Sequence, residues 1–391
     1  MQHKTKSIDV RERYAAGVSR RHATRALFFI GGFGAASWAP LVPLLKNRLS
    51  VTDDILGMLL LCIGIGSLCT MPFSGAAATR LGCRKVLIGA TIFFALLLFC
   101  LCLVSSVKSA IPLLLCFGAA MGCIDVVVNI QAVLVEKAAK RRLMSGMHAL
   151  WSIGGFVGAG AFGVWVGYFG LTPQQSTLIA TTIMLSVLAK FAGHLLPFGG
   201  ESNGQLLALP RGIVVFVGIV AFIAFLTEGA IMDWSGVFLT TVRGLDISLA
   251  GAGFTVFSAA MLLMRLLGDV TVQKLGAKTV VLGGSLLAFL GFVSIIYSSA
   301  EWLLYLGFFF VGIGSANIVP VFYSLLGKQR DMPLGLAVTA VSTLGYLGIL
   351  MGPAAIGVMA QQFSLYVAFG FLALLVMMQF IVAAYVYKKV L

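Results

Sequence analysis

Residues 113–135 read LLLCFGAAMGCIDVVVNIQAVLV, an apolar run with a single carboxylate, Asp125, near its middle. A helix of about 20 residues crosses the ~30 Å hydrocarbon core of a bilayer, so this run is long enough to span. A charged carboxylate at that depth costs about 2.5 kcal/mol or more unless it is protonated, paired or facing a wet cavity. Asp125 is therefore read as functional; the competing reading is a carboxyl hydrogen-bonded to another helix for packing alone.

The rest of the chain is built the same way. Of its 391 residues, 60% are hydrophobic and 10% charged, and the mean hydropathy is +1.04, far outside the range of soluble domains. Apolar stretches of spanning length fall at 24–46, 55–79, 85–107, 110–135, 145–168, 174–196, 211–235, 248–268, 278–299, 302–327, 333–358 and 363–387. The expected fold is an all-α polytopic membrane protein with twelve transmembrane helices.

A net charge of +14 raises the question of nucleic acid, and its placement answers it. With both termini inside, only Lys46, Arg48, Lys108 and Arg243 fall on outer loops, while Lys190 and Arg265 lie within helices. All remaining Lys and Arg sit on inner tails and loops, for example Arg80, Arg84, Lys85, Lys137, Lys140, Arg141 and Arg142. The bias predicts cytoplasmic N and C termini, and anionic headgroups account for the basicity. The expected partners are a small-molecule solute, protons and membrane lipids, with no nucleic acid, for a monomeric chain.

Residues 1–23 are charged rather than apolar and are read as a cytoplasmic tail with no cleaved signal peptide. All seven cysteines lie between Cys62 and Cys123, without metal-ligand spacing, and are read as small hydrophobes. No metal and no cofactor is expected.

An internal repeat with a period near 190 residues organises the chain. Ser152-Ile-Gly-Gly-Phe-Val-Gly158 recurs as Ser342-Thr-Leu-Gly-Tyr-Leu-Gly348, Gly122 recurs as Gly312, and Arg80-Leu-Gly82-Cys-Arg84-Lys85 recurs as Lys274-Leu-Gly276-Ala-Lys278. This divides the chain into a tail (1–23), an N-terminal six-helix bundle (24–196), a cytoplasmic linker (197–210), a C-terminal six-helix bundle (211–387) and a short tail (388–391). Two parallel halves related about the membrane normal suit bundles that rock around a central site.

These motifs resemble the major facilitator superfamily. Gly75-Ala-Ala-Ala-Thr79-Arg80-Leu-Gly82-Cys-Arg84-Lys85 matches the Gly, Arg, Gly and basic positions of that superfamily's signature loop, with Thr79 in place of the usual acid and Gln273 at the equivalent place in the second half. Physically it is a glycine turn whose guanidiniums can grip helix ends and hold one face closed. Gly75, Arg80, Gly82 and Arg84 are thus expected to gate. Arg265 and Asp269, spaced i, i+4, are the candidate substitute ion pair; the alternative is a snorkelling arginine beside an interfacial aspartate.

A finer resemblance covers two helices. Gly122-Cys123-Ile124-Asp125-Val-Val-Val-Asn129 is similar to the Gly-Cys-Leu-Glu-x-x-x-Asn stretch of the fucose permease type of proton/sugar symporters, and Asn317-Ile-Val-Pro320-Val-Phe322-Tyr323-Ser324 to their Pro-x-Phe-x-Ser stretch. The resemblance implies a proton-coupling role for Asp125. With Gly146-Met-His148-Ala-Leu-Trp151-Ser152 and Glu228-Gly-Ala-Ile-Met-Asp233-Trp234-Ser235, the chain resembles most the bacterial YbjJ-like branch.

The residues support that chemistry by themselves. A carboxyl in a poorly solvated, intermittently wet cavity can load a proton on one side and lose it when its surroundings change. Asn129 lies one turn from Asp125 on the same face, and Glu228 is the second candidate for proton or substrate binding. Trp38, Asn129, Gln131, Trp151, Asn317 and Tyr346 are the candidate solute ligands, since rings stack on apolar faces and amides bond hydroxyls. His148 is a further candidate for proton relay, set against an ordinary interfacial histidine, and Lys190 and His194 are read as snorkelling. Gly154 with Gly158, and Gly348 with Gly352, form small-xxx-small ridges for close helix packing.

Gly158-Ala-Gly160-Ala-Phe-Gly163 formally fits a dinucleotide pattern but lies inside a membrane helix with no preceding strand. No nucleotide-binding or zinc-hydrolase motif occurs, so no enzyme and no catalytic residues are expected. The expected function is a secondary transporter moving a small polar solute, such as a sugar, by proton-coupled alternating access. A proton/drug efflux antiporter is the rival, and a non-transporting membrane receptor ranks below both.

Overall fold

The computed structural model describes residues 14–51, 53–200, 209–245 and 252–390. The first thirteen residues of the predicted tail and positions 201–208 of the predicted linker lie outside them. The described chain forms α1 (Val18–Trp38), α2 (Leu41–Leu49), α3 (Asp53–Leu81), α4 (Cys83–Leu103), α5 (Val107–Ala139), α6 (Met144–Gly163), α7 (Pro173–Ala192), α8 (Ile213–Val237), α9 (Ala252–Leu275), α10 (Ala277–Tyr297), α11 (Glu301–Ala316), α12 (Ile318–Leu326), α13 (Leu334–Gln362) and α14 (Leu365–Val390). In lipid a backbone must satisfy its own N–H and C=O groups, and these apolar runs do so as helices. Among the described residues, eleven helices are long and apolar enough to cross a membrane, counting α11 with α12 as one. α1 falls below that measure because Arg20, Arg21 and Arg25 occupy its first turns.

Two predicted spans come out differently. The apolar stretch 24–46 is a helix that starts six residues earlier, at Val18, and ends at Trp38 before α2. Pro40 stands in the turn between them, where its missing N–H and ring block continuation. The stretch 302–327 is broken at Asn317, whose φ of −103° and ψ of 1° interrupt the helix between α11 and α12. Pro320, three residues on, removes one of the N–H groups that would have bridged the break.

The helices gather into two compact units. One comprises Met1–Leu143, Met147–Ala208 and Pro333–Thr339, and the other Met144–Gly146, Leu209–Met332 and Ala340–Leu391. In the first, α5 is central, packed on α3, α4 and α1, while α7 packs on α4 and α1. In the second, α11 is central, packed on α9 and α10, while α14 packs on α10 and α8. Each pairing named for the first unit has its counterpart in the second, where α12 packs on α8 as α5 does on α1.

The repeated glycines show why the packing repeats. A β-carbon at Gly158 would strike the Phe33 carbonyl oxygen, and one at Gly348 would strike that of Phe222. α6 therefore lies backbone-close to α1, and α13 to α8, an approach that only glycine permits. The unit interiors fill with aromatic rings: Phe94 stacks on Phe117 at 4.6 Å in the first, and Phe238 on Phe369 at 4.5 Å in the second.

Candidate functional site

In the first unit, α1 and α5 run antiparallel in a register fixed at two points. Gln131 Nε2 donates to Thr24 Oγ1 at 3.0 Å, and the ring of Trp38 lies 5.8 Å from that of Phe117. Thr24, Gly31 and Trp38 are spaced by sevens and so share one face of α1; Gln131, Ile124 and Phe117 share the facing stripe of α5. Gly31 therefore lies level with Ile124, next to Asp125. The Trp151 indole, from α6, lies directly over Gly31, where any β-carbon would run into the ring. Trp151 is thus wedged at the α1/α5 junction at the depth of Asp125, and both side chains are partly exposed.

Asn129 Nδ2 donates to the Asp125 backbone oxygen at 2.9 Å and to its Oδ1 at 3.3 Å. The sequence pair is thus a bonded pair, and Asn129 is 1% exposed with its Oδ1 buried and unbonded. Gln131 is used differently. Its amide joins α1 through Thr24 and accepts the Leu196 N–H at 3.1 Å through Oε1, so a candidate solute ligand is bonded at both ends within the protein. Trp38 is buried against Phe117.

The second unit gathers Glu228, Arg265 and Asn317. Arg265 Nη2 on α9 lies 3.6 Å from Glu228 Oε2 on α8, and its Nε donates to the Ala316 carbonyl at 3.3 Å. Asn317 Nδ2 donates to the Met264 carbonyl at 3.1 Å. The arginine thus reaches the carbonyl end of α11 at the helix break, where a cation is favourable, and supplies Glu228 with a counter-charge. Glu228 as the partner of Arg265 was not visible in the sequence, where the i, i+4 spacing pointed to Asp269. The Asp269 carboxylate accepts the N–H groups of Ser145 and Gly146, each at 3.0 Å, capping the first turn of α6. Tyr346 is partly buried on α13. Tyr323, buried on α12, exchanges a hydrogen bond with Ser342 at 2.5 Å; nothing in the sequence distinguished it from its apolar neighbours.

The signature loop is tied down within the first unit. Gly82 adopts φ +86°, and a β-carbon there would meet the Pro197 carbonyl oxygen. Arg84 donates through Nε to the Leu195 carbonyl at 3.0 Å and through Nη2 to Gly193 O at 2.7 Å and Tyr14 OH at 3.0 Å, gripping the end of α7. Arg80 is exposed. A β-carbon at Gly75 would strike Thr339 Oγ1 and the Gly335 carbonyl, and Thr79 Oγ1 donates to the Gly75 carbonyl at 2.8 Å. His194, expected to snorkel, bonds Arg20 through Nδ1 at 2.9 Å.

Comparison with known proteins places this geometry in a family. The model of the Major Facilitator Superfamily matches residues 26–210 and 217–390. An uncharacterized MFS-type transporter of Yersinia pestis is 47% identical over 364 residues, covering 92% of this chain and 94% of that protein. The membrane protein MosC of Rhizobium meliloti is 30% identical over 340 residues, covering 86% and 83%. Among solved structures, the transporter FucP in the outward conformation superposes with a TM-score of 0.77 at 14% identity, covering 96% of this chain and 99% of that one. The chain belongs to the major facilitator superfamily of transporters.

Proposed function

We propose that this protein is a proton-coupled secondary transporter that moves a small polar solute, such as a sugar or related compound, by alternating access of its two bundles, with both termini on the cytoplasmic side of a bacterial inner membrane. The observation that carries the reading is the carboxyl–amide pair Asp125–Asn129 at the depth where the Trp151 indole enters the α1/α5 junction. A ring stacks on the apolar face of a sugar while a carboxyl takes its hydroxyls, and the buried Asn129 amide positions that carboxyl. The likeness of fold to FucP, which is a fucose:proton symporter, agrees with this reading.

Coupling requires that proton and solute bias the same two-state equilibrium. Asp125 loads the proton, and loss of the carboxylate's charge favours the reorientation that carries the solute with it. Glu228, paired with Arg265, serves structure or solute binding.

The test begins with a thermal-shift screen of the purified protein against sugars, organic acids, amino acids and cationic drugs, since a ligand of the folded state raises its stability. With the hit in proteoliposomes, Asp125→Asn is expected to abolish accumulation driven by a proton gradient while counterflow persists. Undiminished accumulation would remove Asp125 from coupling. Acidification, rather than alkalinisation, of the outer medium on solute addition would turn the reading into efflux by antiport.

A further inference from the structure

His148 lies on the same stripe as the site. Its ring meets that of Phe28 at 5.0 Å, tilted 56°. Phe28 falls between Thr24 and Gly31 at i+4 and i+7 spacing, so it belongs to the face of α1 that meets α5. In the register set by Thr24–Gln131 and Trp38–Phe117, Phe28 lies level with Val127, between Asp125 and Asn129. On α6 itself, His148 and Trp151 are three residues apart and point the same way. His148 is partly buried as a residue, with its Nε2 inside the protein.

We propose, resting on the reading of Asp125 as the proton carrier, that His148 is the relay through which Asp125 exchanges its proton. The imidazolium transfers its proton to the Asp125 carboxylate, leaving neutral imidazole and a carboxylic acid; the imidazole regains a proton from water, and release runs in reverse. Histidine suits the step because its charge changes in the physiological range. In this register the charged residues nearest the level of the ring on the helices of its own unit are Arg25, one turn before Phe28 on α1, and Asp125 on α5.

The experiment needs no solute: full-length protein in lipid nanodiscs is given a rapid pH drop, and the carbonyl stretch of the protonated carboxyl is followed by infrared spectroscopy. Asp125→Asn assigns the band. In the wild type, imidazolium ring modes should appear before the carboxyl band rises; a carboxyl band that rises ahead of them overturns the relay. His148→Gln should slow the rise about tenfold or more, and imidazole added to His148→Gly should restore it. An unchanged rate, or a slowed rate that imidazole does not restore, also overturns it. If Asp125→Asn removes no band, the failure lies in the assignment of Asp125 as carrier, a result distinct from failure of the relay alone.

Discussion

α5 and its repeat counterpart α11–α12 occupy equivalent places, yet they handle polarity in opposite ways. Gly122 of α5 lets Ser67 of α3 approach, and Gly312 of α11 lets Phe257 of α9 approach. α5 then runs unbroken past an acid bonded by the neutral amide of Asn129. α11 stops at Asn317, and the break is occupied by Arg265, which pairs with Glu228. A carboxyl beside an amide can gain or lose a proton without stranding an opposite charge, whereas one beside a guanidinium cannot. The comparison teaches that the two halves partner their acids differently, Asp125 with an amide on its own helix and Glu228 with an arginine on a neighbouring one.

The glycines of the two repeated loops test the comparison with the largest effect. Gly82 and Gly276 have nearly the same backbone, φ 86°, ψ 150° and φ 83°, ψ 148°, a region all but closed to residues with a β-carbon. Beyond that strain, only Gly82 is closed in, by Pro197, while nothing lies near a β-carbon at Gly276. Gly82→Ala should therefore cost about 3 kcal/mol and Gly276→Ala about 1.5 kcal/mol in thermal or denaturant unfolding. Equal losses would show that the first loop is no more tightly held than the second.

Arg265→Met comes next. It leaves the Glu228 carboxylate without its guanidinium, and because that side chain is 33% exposed the cost is discounted to about 2 kcal/mol. Adding Glu228→Gln should return most of the loss in a double-mutant cycle. Additive losses would break the contrast, since the second unit would then hold no coupled charge.

The smallest effect is expected at Asp269. Its counterpart in the first repeat is Gly75, which offers no carboxylate and makes a steric contact with Gly335 and Thr339 instead. Asp269→Asn keeps an oxygen that can accept from α6 but loses the charge at a helix N-terminus, about 0.5–1 kcal/mol. That loss should shrink as salt is raised, if the interaction is electrostatic.

The twelve apolar runs were legible because lipid imposes one solution on them. The halves were legible because a glycine under a facing carbonyl, as at Gly158 and Gly348, leaves no other residue possible. The early start of α1 was hidden because hydropathy counts Arg20, Arg21 and Arg25 as breaks, although arginine is a good helix former. The break at Asn317 was hidden inside a continuous apolar run. For the site, the i, i+4 pair Asp125–Asn129 could be read directly. The Glu228–Arg265 pair joins different helices, and the role of Gln131 depends on Thr24 and Leu196, far from it in the chain; no local spacing reports such contacts.

Gln131 also has a consequence for how the first bundle is made. Its amide is completed by Leu196, 65 residues further along the chain. At ~5–20 residues per second, the ribosome delivers that partner several seconds after α5 has been made. Until then α5 holds a half-satisfied amide, so the bundle locks only when the segment following its last helix arrives. Replacing Gln131 by leucine would remove that dependence on Leu196.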